Sequence, residues 1–77
     1  MRAGFVFADF DNRHVLCFEG NGVELVPADS SGALNRAICL SSRTEMKNIQ
    51  EKLKEKGLID DLYIINIGAL YLYLIHI

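Results

Sequence analysis

Clustered apolar and β-branched positions in the first third of the chain predict three β-strands. Turn residues separate the runs: Asp11-Asn12 after the first and Gly20-Asn21-Gly22 after the second, with Asn-Gly a frequent hairpin sequence. Pro27 ends the third run, because proline has no N–H to donate to a sheet. The pattern predicts a three-stranded antiparallel meander with strands at residues 4–10, 14–19 and 23–26.

A helix is predicted in the middle of the chain, where the apolar spacing changes to three and four residues. Ser42 and Glu45 have the spacing of a capping box, which marks a helix N-terminus. The helix is expected to run to about Lys56, and Gly57 suits the left-handed position that follows a helix. The apolar positions that share one helix face, and that are expected to dock on the sheet, are Met46, Ile49 and Leu53.

The remaining apolar segments predict further strands. Residues 34–40 fit a strand slightly better than a helix, although both interpretations remain open. Residues 62–67 and 69–77 are predicted to be two strands, with Gly68 supplying the tight turn of a C-terminal hairpin. If residues 69–77 are extended, both faces of that strand are apolar, which is unusual for a sheet with one solvated side.

The predicted fold is a single α+β domain, residues 1–77, in which one helix packs on one face of an antiparallel sheet of five or six strands. The predicted order is β-β-β-(β)-α-β-β. Domains this small bury a modest share of their surface, and many gain the missing stability by oligomerisation. One short helix cannot cover both faces of the predicted hairpin, so a protein partner is expected there.

Nothing in the charge or composition favours nucleic-acid or membrane binding, and neither is expected. The net charge is −2, and no half of the chain is basic enough to follow a phosphate backbone. The longest apolar run, residues 62–77, is shorter than the roughly 20 residues that cross a bilayer as a helix. The N-terminal apolar run is too short for a secretory signal. With only two cysteines, we expect a cytoplasmic protein with reduced thiols.

An apolar run ending in Asp9-Phe10-Asp11 resembles the first motif of the haloacid-dehalogenase phosphotransferases. That resemblance implies a nucleophilic Asp9, an acid/base Asp11 and a magnesium ion. The chain continues with Asn12-Arg13 where the family has Gly or Thr, and it is too short for that family's α/β domain. We therefore expect these aspartates to end a strand and form a turn, with no catalytic role.

Other polar groups suggest neither a metal nor a cofactor. His14 and Cys17 point to opposite faces of a strand, so without a β-bulge they cannot converge on a zinc ion with Cys39 and His76. Both cysteines lie among apolar residues and are expected to pack as small hydrophobic side chains. An anion site at residues 41–44 is a weaker alternative, since the Ser42 hydroxyl already has a capping role.

The sequence favours a small non-enzymatic protein–protein interaction module, such as an inhibitor or regulator of a larger assembly. Tyrosine is enriched at interfaces, where one end of the side chain is buried and the other is wet. The C-terminal hairpin is expected to bind either a second copy of the chain, forming a homodimer, or another protein. The alternative is a small ligand-binding regulatory domain with a pocket between helix and sheet. The predicted partner-binding residues are Tyr63, Tyr71, Tyr73, Ile75 and Ile77.

Overall fold

A four-stranded antiparallel sheet forms the centre of the computed structural model, which describes residues 3–57 and 61–75. The strands stand in the order β3-β2-β1-β4. The strands are β1 (Phe5–Asp9), β2 (His14–Glu19), β3 (Gly22–Pro27) and β4 (Leu62–Asn66). The helices are α1 (Ala33–Arg36), α2 (Arg43–Glu55) and α3 (Ile67–Ile75). The predicted α+β class and antiparallel sheet are confirmed.

The predicted N-terminal meander is confirmed, and its turns lie where the sequence predicted them, although Gly22 of the predicted Gly20-Asn21-Gly22 turn belongs to β3. Asn12, between β1 and β2, has a φ of 57°, a left-handed conformation that asparagine tolerates better than most residues. Gly20 has a φ of 58° in the two-residue turn between β2 and β3, where Glu19 pairs with Gly22. The short turns fix the register of both hairpins.

The predicted central helix is confirmed as α2. Ser42 is its N-cap, and the Ser42 hydroxyl accepts a hydrogen bond from the Glu45 N–H at 3.4 Å. Gly57 follows the helix with a φ of 70°. Met46 is fully buried, and it packs with the partly buried Ile49 and Leu53 against one face of the sheet. A solvated face of charged residues lies opposite this stripe.

The predicted C-terminal strand is wrong: residues 69–75 form the helix α3, together with the predicted turn residue Gly68 and with Ile67, the last residue of the preceding predicted strand. The Asn66 side-chain oxygen accepts hydrogen bonds from the N–H groups of Gly68, at 2.8 Å, and Ala69, at 3.2 Å. These two bonds satisfy donors that a helix N-terminus leaves unpaired. Gly68 therefore lies in the first turn of a helix and not in a hairpin turn. Residues 76 and 77 lie outside the described residues.

Residues 34–40 are also not a regular strand. The first part belongs to the short helix α1, and residues 37–40, here called the inserted segment, enter the sheet between β1 and β2. Strands β1 and β2 pair at Ala8 and Val15, near their turn. Farther from that turn Cys17 bridges to Ala37, and Phe5 exchanges backbone hydrogen bonds with Leu40 of 2.8 and 3.3 Å. The segment thus fills the gap between the two strands.

Helices cover both faces of the sheet, whereas the sequence predicted one helix on one face. One apolar cluster includes Val6, Val15 and Cys17 from the strands, Ala33 from α1, and Ile67 and Leu70 from α3. The other, on the opposite face, contains Phe7, Leu16, Ile38, Met46, Leu62 and Ile64. The sheet has four strands rather than five or six because residues 34–40 form no regular strand and the last apolar segment forms a helix that covers the second face.

Candidate functional site

The nine residues of α3 include no charged side chain, so the helix has no polar face to turn toward solvent. Ile67 and Leu70 are buried on the sheet, and Leu74 is partly buried beside them. The other large side chains form an exposed surface, here called the outer face of α3. Its members and their exposed fractions are Tyr71 (42%), Leu72 (56%), Tyr73 (46%) and Ile75 (56%).

Three of the five predicted partner-binding residues lie on this outer face: Tyr71, Tyr73 and Ile75. The extended-strand interpretation put them on one face and Leu72 on the other. On the helix, Tyr71 and Ile75 are one turn apart, and Leu72 lies between them and Tyr73. Sequence reasoning missed Leu72 for that reason. Ile77 lies outside the described residues.

Tyr63 does not belong to this surface. It lies on β4 and is half-buried, and its ring stacks on the Phe10 ring with centroids 6.0 Å apart and planes 3° from parallel. The Tyr63 hydroxyl is hydrogen-bonded to the Asn12 side-chain oxygen. These contacts tie β4 to the turn between β1 and β2, so the structure gives Tyr63 an intramolecular role.

The Asp9 carboxylate organises the same turn. One carboxylate oxygen accepts hydrogen bonds from the backbone N–H groups of Arg13, at 2.9 Å, and His14, at 3.2 Å. The other lies 2.8 Å from His14 Nδ1. Partial burial raises the pKa of Asp9, but the His14 side chain and the two backbone donors outweigh it and hold the pKa below its usual value. Asp11 is exposed.

An open cleft of about 510 Å³ lies next to this turn. Its walls carry both charged and apolar groups, contributed by the turn, the end of β3, the loop after it and α3. The lining residues are Arg13, His14, Pro27, Asp29 and Leu74. The cleft is thus a pocket at the junction of helix and sheet.

The cysteines lie in apolar surroundings. Cys17 is buried, and its sulfur lies 3.6 Å from the Ala33 carbonyl oxygen. Cys39 is half-buried, and its sulfur lies 3.5 Å from the Ala3 carbonyl oxygen. Among the residues that the structure describes, no group of three or more histidine, cysteine or acidic side chains is placed to hold a metal ion. His76, the remaining member of the zinc set considered above, lies outside them.

Within residues 3–57 and 61–75, no helix has the length and apolar character needed to cross a membrane. Comparison of the chain with protein family models, with characterised proteins and with solved structures found no match.

Proposed function

We propose that this chain is a non-enzymatic protein–protein interaction module whose contact surface is the outer face of α3. The observation that supports the proposal is the exposure of four large apolar side chains on a helix without a charged residue. A helix that is apolar on all sides is normally buried on all sides. A contiguous apolar patch on a protein surface commonly marks a binding site.

The chemistry of the outer face suits a helix-mediated contact. Tyr71 and Tyr73 carry hydroxyl groups that remain hydrogen-bonded at the edge of an interface while their rings are buried. Leu72 and Ile75 supply aliphatic surface between and beside them, and side chains one helical turn apart can enter one groove together. A partner with a complementary apolar groove or helix would remove this surface from water.

The partner that we propose is a second copy of the chain. Two α3 helices related by a two-fold axis would present the same apolar side chains to each other, as a self-complementary interface requires. A nine-residue helix gives an interface near the small end of the usual range, so we expect association in the micromolar range. The alternative partner is a larger assembly, whose apolar surface the module would cover as an inhibitor or regulator does.

Leu72→Glu tests this surface. A carboxylate at the centre of the outer face would have to be desolvated in the complex, and loss of a central contact typically costs about 2 kcal/mol or more. We therefore expect self-association to weaken by about 30-fold or more. Sedimentation equilibrium over a range of concentrations measures this change.

Asn48→Glu is the matched control, because Asn48 is exposed on α2 and the substitution changes the net charge equally. It should associate like the unmodified chain. A protein that remains monomeric at high micromolar concentration, and is equally soluble with and without the Leu72 substitution, would contradict both the dimer and the role assigned to the outer face.

The cleft supports a second candidate function, that of a small ligand-binding domain. Arg13 and His14 can bind a carboxylate or phosphate, Asp29 can bind an ammonium group, and Leu74 offers an apolar contact. This combination favours small anionic or zwitterionic molecules with an apolar portion. Such a site has the usual composition of a ligand pocket, which combines apolar walls with a few polar groups.

A thermal-shift screen of amino acids, small carboxylic acids and nucleotides tests the cleft. A ligand that binds the folded state raises the melting temperature in proportion to its saturation. We expect Arg13→Ala to abolish the increase for any ligand held there, whereas Arg36→Ala, an exposed change on α1, should preserve it. An increase that survives Arg13→Ala would exclude the cleft as the binding site.

A further inference from the structure

The outer edge of β3 is available for pairing with another strand. The Ala28 N–H donates a hydrogen bond of 2.7 Å to the Arg13 carbonyl oxygen, which shows which residue pairs of the β2–β3 ladder are hydrogen-bonded. Because bonded and non-bonded pairs alternate in an antiparallel ladder, Val26 and Glu24 bond to β2, while Val23 and Leu25 direct their N–H and C=O groups outward. None of the described residues hydrogen-bonds to these outward groups.

The two faces beside this edge differ sharply in chemistry. On the face that α2 covers elsewhere, Phe18 is 65% exposed and Leu25 is 45% exposed, and they flank the half-buried Val23. On the other face Glu19 and Glu24 are exposed, and neither forms an ion pair with a described residue. The edge therefore presents an apolar strip on one side and an acidic strip on the other.

The opposite edge of the sheet is protected. The Arg43 guanidinium donates to the Ile64 carbonyl oxygen at 3.2 Å, and the Gln50 amide donates to the Leu62 carbonyl oxygen at 3.0 Å. Both donors come from α2 and occupy acceptors on the outer side of β4. Proteins commonly protect sheet edges in such ways against unwanted pairing. On β3 a comparable contact occurs at its end, where Ser30 donates to the Pro27 carbonyl oxygen.

We infer that the β3 edge binds an extended segment of another protein in which apolar and basic residues alternate. An antiparallel strand added here would form backbone hydrogen bonds with Val23 and Leu25. Side chains directly opposite these two residues would lie on the apolar side with Phe18. The alternate side chains would lie on the other side, opposite Glu24, where lysine or arginine complements the charge.

The charge of Glu24 favours this partner over a second copy of the chain. In a two-fold pairing of β3 with itself, the register that uses Val23 and Leu25 of both copies sets Glu24 directly opposite Glu24. Like charges at that position are destabilising. Shifting the register by two residues separates the carboxylates, but it either shortens the ladder to residues 22–24 or sets Val23 opposite Pro27, which has no N–H and whose carbonyl oxygen already accepts from Ser30. This edge is separate from the outer face of α3, and the inference does not depend on the function proposed for that face.

An NMR titration of the isotope-labelled chain tests the inference with a defined probe, the capped peptide Val-Lys-Val-Lys-Val-Lys. We expect saturable shifts of the Val23 and Leu25 amide signals. The peptide Val-Glu-Val-Glu-Val-Glu should bind much more weakly, because its carboxylates would face Glu24. N-methylation of the peptide valines should abolish binding, since their N–H groups form the new ladder. N-methylation of the lysines should preserve binding, because their N–H groups point away from β3.

Substitutions in the chain provide the complementary test. Glu24→Lys should weaken binding of the lysine peptide about threefold to tenfold by replacing an attraction with a repulsion. Glu51→Lys makes the same charge change at an exposed position on α2 and should leave binding unchanged. Leu25→Pro should abolish binding while retaining the ladder to β2, because the Leu25 N–H points outward. If that variant does not fold, the valine-methylated peptide still tests the same bond.

Four results would overturn the inference. The first is a set of amide shifts confined to α3, to β4 or to the cleft. The second is equal binding of the lysine and glutamate peptides, and the third is equal loss of binding on methylation of either set of peptide nitrogens. A concentration-dependent shift of the Val23 and Leu25 signals without peptide would also overturn it, because a second copy would then occupy the edge.

Discussion

Asp9 shows at the residue scale why an acidic motif at a strand end can be structural. Both carboxylate oxygens are occupied, one by the backbone donors of Arg13 and His14 and the other by the His14 ring. Through these bonds the carboxylate holds the turn between β1 and β2. The contacts give the strand-turn-strand unit its geometry and account for the lowered pKa of Asp9.

Asp9→Asn is expected to lower the free energy of unfolding at neutral pH and to matter less in acid. A folded-state pKa below the unfolded value means that the unfolded chain binds more protons, so the carboxylate stabilises the fold above the unfolded pKa of about 4. This contribution is lost as the pH falls through the lowered folded-state pKa. Denaturant titrations of both proteins from about pH 7 to about pH 2 measure the difference.

Asp11→Asn serves as the control for Asp9→Asn, since Asp11 is exposed and two residues away. Its effect should be small at every pH. If the difference in free energy of unfolding between the unmodified chain and Asp9→Asn stays constant as the pH falls, the stabilising role assigned to the Asp9 carboxylate is contradicted. Magnesium-dependent phosphatase activity that disappears in Asp9→Asn would instead support the enzymatic interpretation of the motif.

At the scale of elements, α3 depends on Asn66. The side-chain oxygen of Asn66 caps the helix, and a Cβ added at Gly68 would lie 3.0 Å from that oxygen. Because glycine has no Cβ, it avoids this close contact with the oxygen that caps the helix. The strand β4 and the helix α3 meet at this one residue, so the capping interaction also fixes where the chain changes from extended to helical.

Asn66→Ala should destabilise the fold by about 1 kcal/mol, because two N–H groups of the first helical turn lose their acceptor. Asn66→Asp keeps an oxygen in place and adds a charge that the helix dipole favours, so it should retain most of the stability. Thermal or denaturant unfolding compares the two. Equal loss in both variants would show that the cap contributes little.

The sequence predicts α2 well and α3 poorly for a physical reason. In α2, charged residues separate the apolar positions, so the spacing of three and four is visible. In α3 nearly every position is apolar, so Leu70, Leu72 and Leu74 satisfy a strand pattern while Ile67, Leu70 and Leu74 satisfy a helical one. Asn66 was the local signal that could have decided between them. The inserted segment was unpredictable because its partners, Phe5 and Cys17, are distant in sequence.

At the scale of the whole molecule, part of the candidate surface was predictable even though its secondary structure was not. The segment near residue 70 has more apolar side chains than one helix and one sheet face can bury. This holds whether the segment is extended or helical. Tyr71, Tyr73 and Ile75 are therefore exposed in the structure, as that excess suggested. Tyr63 lies apart from the outer face of α3, and its contacts with Phe10 and Asn12 were not visible in the sequence because the tertiary fold brings these residues together.

The position of β1 in the sheet has a consequence for how the chain folds. The β2–β3 hairpin pairs residues that are close in sequence and can form early, whereas Phe5 of β1 pairs with Asn66, across most of the chain. Contacts of such long range require the closure of a large loop and form slowly. On the ribosome, β1 therefore emerges well before its partner β4. Until β4 is available, β1 can be held by β2, through Ala8 and Val15, and by the inserted segment, through Phe5 and Leu40.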